Sequence, residues 1–415
     1  MSHQRKITRR TTLATGLTAA AGMLVGGPAR AQVKDVKVAL IVPLSGPWAR
    51  QGELEQKGAQ MAIDEINASG GIKALGGAKL QLIVADAGDS AEKAKNAAQR
   101  LVAQEPELVG GVGSWLSSFT LAVTEVTERA EIPWFTLSYA DSITSRGFKY
   151  VFQTSMTGDE QAIAALPTII DLAKTATGKA FKTIGMISDN TAAPQSFAKP
   201  LRDAAALEKL GVKLVMDEIY TPPLSDGTPL IQKVRSTRPD VLFMLSTNVP
   251  DDKLLVEKLN EFGLGKGRIP VIGNGAHFGA PELLKVASKE MLDGVMVTLA
   301  NWSGKDQGDM VKRFKEKTGE PWMGQDSVCP YGEYWIIKEA LEKAGVADRR
   351  KVAEAVRAMS LNDGPANAFP GKPLKFDERG RRVGAKLVIV QWQNGEPVWI
   401  YPPENATAKP IWPKV

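Results

Sequence analysis

Side chains able to do covalent or metal chemistry are scarce in this chain of 415 residues. It holds one cysteine, Cys329, so no internal disulfide can form. Its two histidines are His3 and His277, with no Cys/His cluster at ligand spacing, and neither a metal nor another cofactor is expected. The stretch "GVGSWLSS" at residues 111–118 has the small residues of a phosphate cradle or a nucleophile turn. Both readings fail on spacing. A dinucleotide fingerprint needs a glycine where Leu116 stands, no Lys-Ser/Thr pair follows, and Gly113-Ser114 does not continue to G-x-S-x-G. A nucleophile at Ser114 or Ser117 would also need a base, and His277 is alone. What remains is anion recognition. Ser117 or Ser118 stands where an N-cap belongs, at the start of a helix carrying Ala122, Val123 and Val126. Unpaired amides and the helix dipole favour a carboxylate there. The competing reading is that the serines merely cap the helix. Trp48, which follows Pro47 in another loop, is either packing or a lid over a ligand.

The rest of the chain alternates strand and helix. "VKVALIV" from Val36 is a continuous apolar run, the mark of a strand covered on both faces. In "GAQMAIDEINASGG", Ala59, Ala62, Ile63 and Ile66 form one helical stripe that Gly70-Gly71 stops. "LQLIVAD", "ELVGGVG", "IPWFTL" and "YVFQT" read as further strands. A second series begins near Gln161, with "TIGMIS", "VKLVMDEIY", "DVLFML", "IPVIGN" and "GVMVTLA", and the chain closes with "AKLVIVQW" and a Pro-rich tail. The expected fold is α/β, with two doubly wound parallel-sheet lobes that exchange strands. In such sheets ligands sit at the carboxyl ends of strands. The loops there are "PLSGPWARQG", "GSWLSS", "LSYADS", "DNTAAP", "STNVPDD" and "GNGAHFG", rich in neutral donors, with Arg50 their only cation.

Residues 1–31 read as an export leader cut after Ala31, with a basic start, a weakly apolar stretch and Ala29-Arg30-Ala31. The Arg9-Arg10 pair suggests the twin-arginine route. The formal charge is +6, but Arg5, Lys6, Arg9, Arg10 and Arg30 lie in the leader, leaving 6 − 5 = +1. Nothing here argues for a nucleic-acid partner. The remaining residues exceed what one core usually serves, which favours two lobes. The expected division is 32–154 plus 300–386 for the first, and 155–299 plus 387–415 for the second.

Taken in order, "VALIVPLSGPWARQGELEQKGAQMAIDEINASGGI", "GSWLSSFTLAVTEVTERAEIPWFTLSYADSITSRGFKYVFQT", "PDVLFMLSTN" and "GPANAFPGKPLKFDERG" resemble the branched-chain amino-acid-binding family, the type I periplasmic solute-binding proteins of ABC transporters. The resemblance implies a non-enzymatic periplasmic protein that captures an amino acid or related small carboxylate between lobes joined by a multi-strand hinge. Its partner would be a membrane permease. It implies ligand contacts near Trp48 and Gln51, at Ser117 with Trp115 and Ser118 beside it, at Ser138, Tyr139 and Ala140, and at Asn248 in the second lobe. Two positions depart from the family. Ala193-Pro194 replaces a frequent Tyr-Gly, and Gly275-Ala276 stands where a carboxylate often receives the ligand's ammonium. Asp189, His277 or Asp326 would supply the missing polarity, or the ligand lacks an ammonium. The alternatives are a ligand sensor of the same fold and a serine hydrolase, which a titratable partner beside His277 would favour.

Overall fold

The computed structural model describes residues 33–285 and 287–412. The expected leader lies outside them. Among the described residues, the strands are β1 (Val36–Val42), β2 (Leu80–Asp86), β3 (Gly111–Gly113), β4 (Trp134–Thr136), β5 (Val151–Gln153), β6 (Thr183–Asp189) and β7 (Lys213–Tyr220). They continue with β8 (Val241–Leu245), β9 (Val271–Asn274), β10 (Met296–Leu299), β11 (Ser360–Leu361), β12 (Leu374–Lys375), β13 (Val388–Gln393) and β14 (Glu396–Tyr401). The helices are α1 (Ala49–Ala68), α2 (Ala91–Gln104), α3 (Ser117–Arg129), α4 (Gly158–Thr177), α5 (Ala192–Leu201) and α6 (Ala204–Lys209). After them come α7 (Thr228–Thr237), α8 (Val249–Glu261), α9 (Lys289–Leu292), α10 (Gly308–Thr318), α11 (Gln325–Ala344) and α12 (Arg349–Arg357).

Burial of apolar runs explains the strands. In β1 every residue but Lys37 is buried, so helices must cover both of its faces. The alternating residues of β8 divide between two cores: Val241, Phe243 and Leu245 enter one, Leu242 and Met244 the other. Each such side chain contributes about 1.5–3 kcal/mol on leaving water. The α1 stripe of Ala59, Ala62, Ile63 and Ile66 is buried, and α1 packs against α11.

The first sheet has the order β2-β1-β3-β4-β5 and is parallel throughout. The second runs β14-β13-β10-β9-β8-β6-β7. From β7 to β10 it repeats the winding of the first, one strand for one. The expectation of purely parallel sheets is corrected by β13 and β14, which add antiparallel to β10 and to each other. The tail expected to be merely Pro-rich contains β14, whose Pro397 sits on an edge strand, where a missing N–H is tolerated. Strand β3 spans only three residues of the expected "ELVGGVG".

The chain passes between the sheets at 154–157, 300–307 and 376–387. Two of these crossings are tied together. Gln153 N–H donates to the Gly380 carbonyl (2.8 Å) and Arg382 N–H to that of Gln153 (3.0 Å). The buried Arg382 guanidinium donates to the carbonyls of Thr154 (2.7 Å) and Pro370 (2.8 Å). The result is a hydrogen-bonded hinge of parallel segments.

Candidate ligand-binding site

In each sheet the winding reverses beside the first strand, between β1 and β3 and again between β6 and β8. Loops there diverge and leave a crevice at the carboxyl ends. The two crevices face each other across a cavity with about 390 Å³ of space unoccupied by protein atoms, part of it open to solvent. Residues 115–117, 137–139 and 325–326 line it from the first lobe, and 193–194, 246–247 and 274–277 from the second.

The turn "GVGSWLSS" owes its shape to three successive left-handed residues, Gly113 (φ 114°), Ser114 (φ 76°) and Trp115 (φ 45°). A side chain at Gly113 would meet the Ile41 carbonyl at 2.4 Å. Two non-glycine residues in this region cost on the order of 1–3 kcal/mol each. The strain aims Trp115 at α11, where its indole N–H donates to Asp326 Oδ1 (3.0 Å). Ser138 braces the turn: its hydroxyl donates to the Trp115 carbonyl (2.6 Å) and packs against those of Thr120 (2.7 Å) and Thr136 (3.0 Å). Ser138 thus lines the cavity with its donor already engaged.

Neither Ser117 nor Ser118 caps α3, which corrects the sequence reading; Leu116 holds the cap position and has no side-chain acceptor. Ser117 is the first helical residue, and its Oγ accepts from the backbone N–H groups of Tyr139 (3.2 Å) and Ala140 (3.1 Å). Two loop amides and a hydroxyl therefore converge at a helix start. Ser118 Oγ accepts from the Ala192 N–H (3.4 Å) on the other lobe. The Tyr139 hydroxyl donates to Gln325 Oε1 (2.7 Å), which also accepts from the amides of Ala300 and Asn301 (3.0 Å each). Gln325, absent from the sequence reading, so pins a hinge crossing to the site.

Other expected residues stand behind the wall. Trp48 packs edge-on to Phe119 with centroids 5.5 Å apart and donates to Thr247 Oγ1 (3.4 Å), bridging the lobes. Thr247 donates in turn to Asp189 Oδ2 (2.6 Å), whose Oδ1 accepts from the Thr191 amide (2.8 Å) and hydroxyl (2.6 Å). Arg50 forms ion pairs with Glu282 of the second lobe (2.9 Å) and Glu320 of the first (2.6 Å). Gln51 is buried in α1 away from the cavity wall. Asn248 caps a helix: its Oδ1 accepts from the Asp251 N–H (2.9 Å) at the start of α8.

The greatest departure concerns His277, which is not alone. Its Nδ1 lies 2.6 Å from Asp252 Oδ2, and Ser246 donates to the other oxygen of Asp252. Among the described residues this is the imidazole's one side-chain hydrogen bond, and no serine or threonine hydroxyl is bonded to the ring. Burial opposes the imidazolium, but the charge and hydrogen bond of Asp252 outweigh it, with Asp326 and Asp189 adding, and the pKa of His277 is raised. Asp326 is lifted by burial to about 6, against the pull of Trp115, His277 and Arg50. Its Oδ2 is buried and has no protein partner.

Gly275 explains why no side chain stands at that position. A Cβ there would lie 2.6 Å from His277 Nε2, and the residue has φ 104°. The imidazole occupies the space. Gly275→Ala is expected to cost roughly 1–3 kcal/mol of stability, read by urea unfolding. An unchanged midpoint would show that the ring yields freely.

The architecture is that of a two-lobed binding protein with its cavity at the hinge. The chain belongs to the periplasmic binding protein family, which it matches over residues 35–397. It is 29% identical over 391 residues to Leu/Ile/Val-binding protein homolog 8 of Brucella melitensis, covering 91% of this chain and 93% of the relative. A leucine-binding protein from Thermotoga maritima superposes with a TM-score of 0.74 at 22% identity, covering 88% of this chain and 97% of the other. A solute-binding protein of an ABC transporter from Rhodopseudomonas palustris, in complex with 3,4-dihydroxybenzoic acid, gives 0.74 at 21% identity, covering 91% and 98%. Family and fold are those of extracytoplasmic solute binding rather than catalysis.

Proposed function

We propose that the protein is the periplasmic solute-binding component of an ABC importer, taking a small carboxylate-bearing solute between its lobes and presenting it to a membrane permease. The observation that carries this reading is the convergence of Ser117 Oγ with the amides of Tyr139 and Ala140, Ser117 and Tyr139 themselves lying on the cavity wall. Those donors, with the dipole of α3, suit a carboxylate without a dedicated arginine. The relatives support the class: one is named for leucine, isoleucine and valine, another was solved with an aromatic acid. The lobe-bridging contacts of Trp48, Arg50 and Ser118 suit closure about the hinge, a motion for which periplasmic binding proteins are a standard example.

A thermal-shift panel of amino acids and aromatic and aliphatic acids, followed by calorimetry, tests the proposal. A binder should raise the melting temperature in a dose-dependent way and titrate at one site per chain. A panel without a binder, or an acid consumed on incubation, would contradict it. Export carries its own expectation. Intact mass of the secreted protein should place the first residue at Gln32, and a full-length membrane-held product would refute the leader assignment.

A further inference from the structure

Resting on the reading of this cavity as a carboxylate seat, we infer that Gln325 is a specificity-determining residue of the site. Its Nε2 donates to an acceptor oxygen of the solute while its Oε1 holds the hinge. Gln325 opens α11 and is only 1% exposed. Three donors converge on Oε1: the Tyr139 hydroxyl (2.7 Å) and the amides of Ala300 and Asn301 (3.0 Å each). Backbone N–H groups can only donate, so the last two fix which end of the side-chain amide is oxygen. The rigid amide plane then places the nitrogen as well.

Among the described residues Nε2 has no hydrogen-bond partner, and it differs from the unpartnered atoms behind the wall. Gln51 Nε2, both Glu55 carboxyl oxygens and Asp326 Oδ2 are sealed from solvent, whereas Gln325 Nε2 is not. A residue so deeply buried keeps that contact through the cavity it lines. A purely bracing role would use the oxygen alone and leave two N–H donors idle. Donors in such a place are costly without an acceptor, and a solute oxygen removes the cost. On the oxygen's side the hinge crossing is firmly held. Asn301 Nδ2 donates to the Ala368 carbonyl (2.8 Å), and its Oδ1 accepts from the Trp302 N–H (2.9 Å). One side-chain amide therefore joins the solute to a segment that connects the lobes.

Calorimetry and thermal unfolding of the intact mature protein and two variants separate recognition from bracing. The probe is whichever of leucine, 4-methylpentanoate, benzoate and 4-hydroxybenzoate the natural protein binds most tightly. Gln325→Glu keeps an oxygen for all three donors and exchanges the N–H pair for a second oxygen. At about pH 8 that carboxyl is ionised, and three donors on one oxygen favour the ionised form. The empty variant should melt close to the natural protein, yet bind the probe at least about tenfold more weakly. Gln325→Met removes both ends of the amide, so it should bind weakly and melt early as well. Unchanged affinity in either variant would overturn the inference and leave the carboxylate seat standing. An early melt in Gln325→Glu as severe as in Gln325→Met would also overturn it, because affinity would then merely follow the fold. Failure of the natural protein to bind any acid, in this set or the wider panel, would instead contradict the proposed function, and the inference with it.

Discussion

Ser117→Ala is expected to weaken carboxylate binding roughly ten- to a hundredfold. The serine hydroxyl offers one donor to a charged acceptor, a bond worth about 1.5–3 kcal/mol when buried, and about 1.4 kcal/mol corresponds to a decade in affinity. Stability should fall as well. In the empty protein Oγ is the acceptor for the N–H groups of Tyr139 and Ala140, and leaving such groups buried without a partner costs about 1–3 kcal/mol. A bound carboxylate supplies acceptors of its own, so saturating ligand should recover part of that loss. Titration calorimetry paired with unfolding of the empty and liganded variant reads both effects. Unaltered affinity beside an early melt would mean that Ser117 only braces the 138–140 loop.

The second large effect is a loss of stability with rising pH. Glu333 of α11 is fully buried; Thr154 donates to its Oε1 (2.6 Å), and its Oε2 has no partner. Burial pushes its pKa from 4.5 up to about 8. Glu55 is raised as well, by burial and then by the charges of Asp326 and Glu333. A carboxyl whose folded pKa exceeds its unfolded value holds its proton longer in the native state. Its contribution is complete below the unfolded pKa and is lost as pH climbs toward the folded one. For Glu333 that window runs from 4.5 to about 8, and for Asp326 from 3.8 to about 6. His277, also raised, acts in the same direction above its ordinary 6.5. Glu333→Gln removes the ionisation, so its stability relative to the natural protein should improve by on the order of a few kcal/mol between pH 5.5 and 8.5. Urea unfolding at the two pH values measures this. Parallel profiles would show that Glu333 is already ionised in the folded state.

The fold was legible wherever burial leaves a one-dimensional trace. The run of β1 and the buried stripe of α1 follow from covering both faces of a parallel sheet; β1 lies where the pattern places it, whereas α1 starts at Ala49, inside the expected loop "PLSGPWARQG" and well before Gly58. The antiparallel addition of β14 was not visible, because its Pro397 and polar ends mask a strand that pairs with one neighbour only. At the site, Ser117 could be found because the end of a buried strand followed by a helix start is a local signal. Its hydrogen bonds could not, since Tyr139 and Ala140 arrive from the loop after the next strand. Asp252 lies on α8, 25 residues before His277, and no local pattern joins an acid on a helix to an imidazole beyond the following strand. The left-handed backbone of Ser114 and Trp115 was equally hidden, because neither residue type announces it. The cap at Asn248 was legible by contrast, because an asparagine immediately before a helix is a favoured N-cap.

A crystal structure of the mature protein with its calorimetrically identified solute tests the carboxylate seat between the lobes most directly. The predicted result is a carboxylate oxygen within about 2.7–3.2 Å of Ser117 Oγ and of at least one of the Tyr139 and Ala140 nitrogens, enclosed by residues of both lobes. A solute bound outside the hinge cavity, or bound in it with its carboxylate turned away from Ser117, would contradict the account.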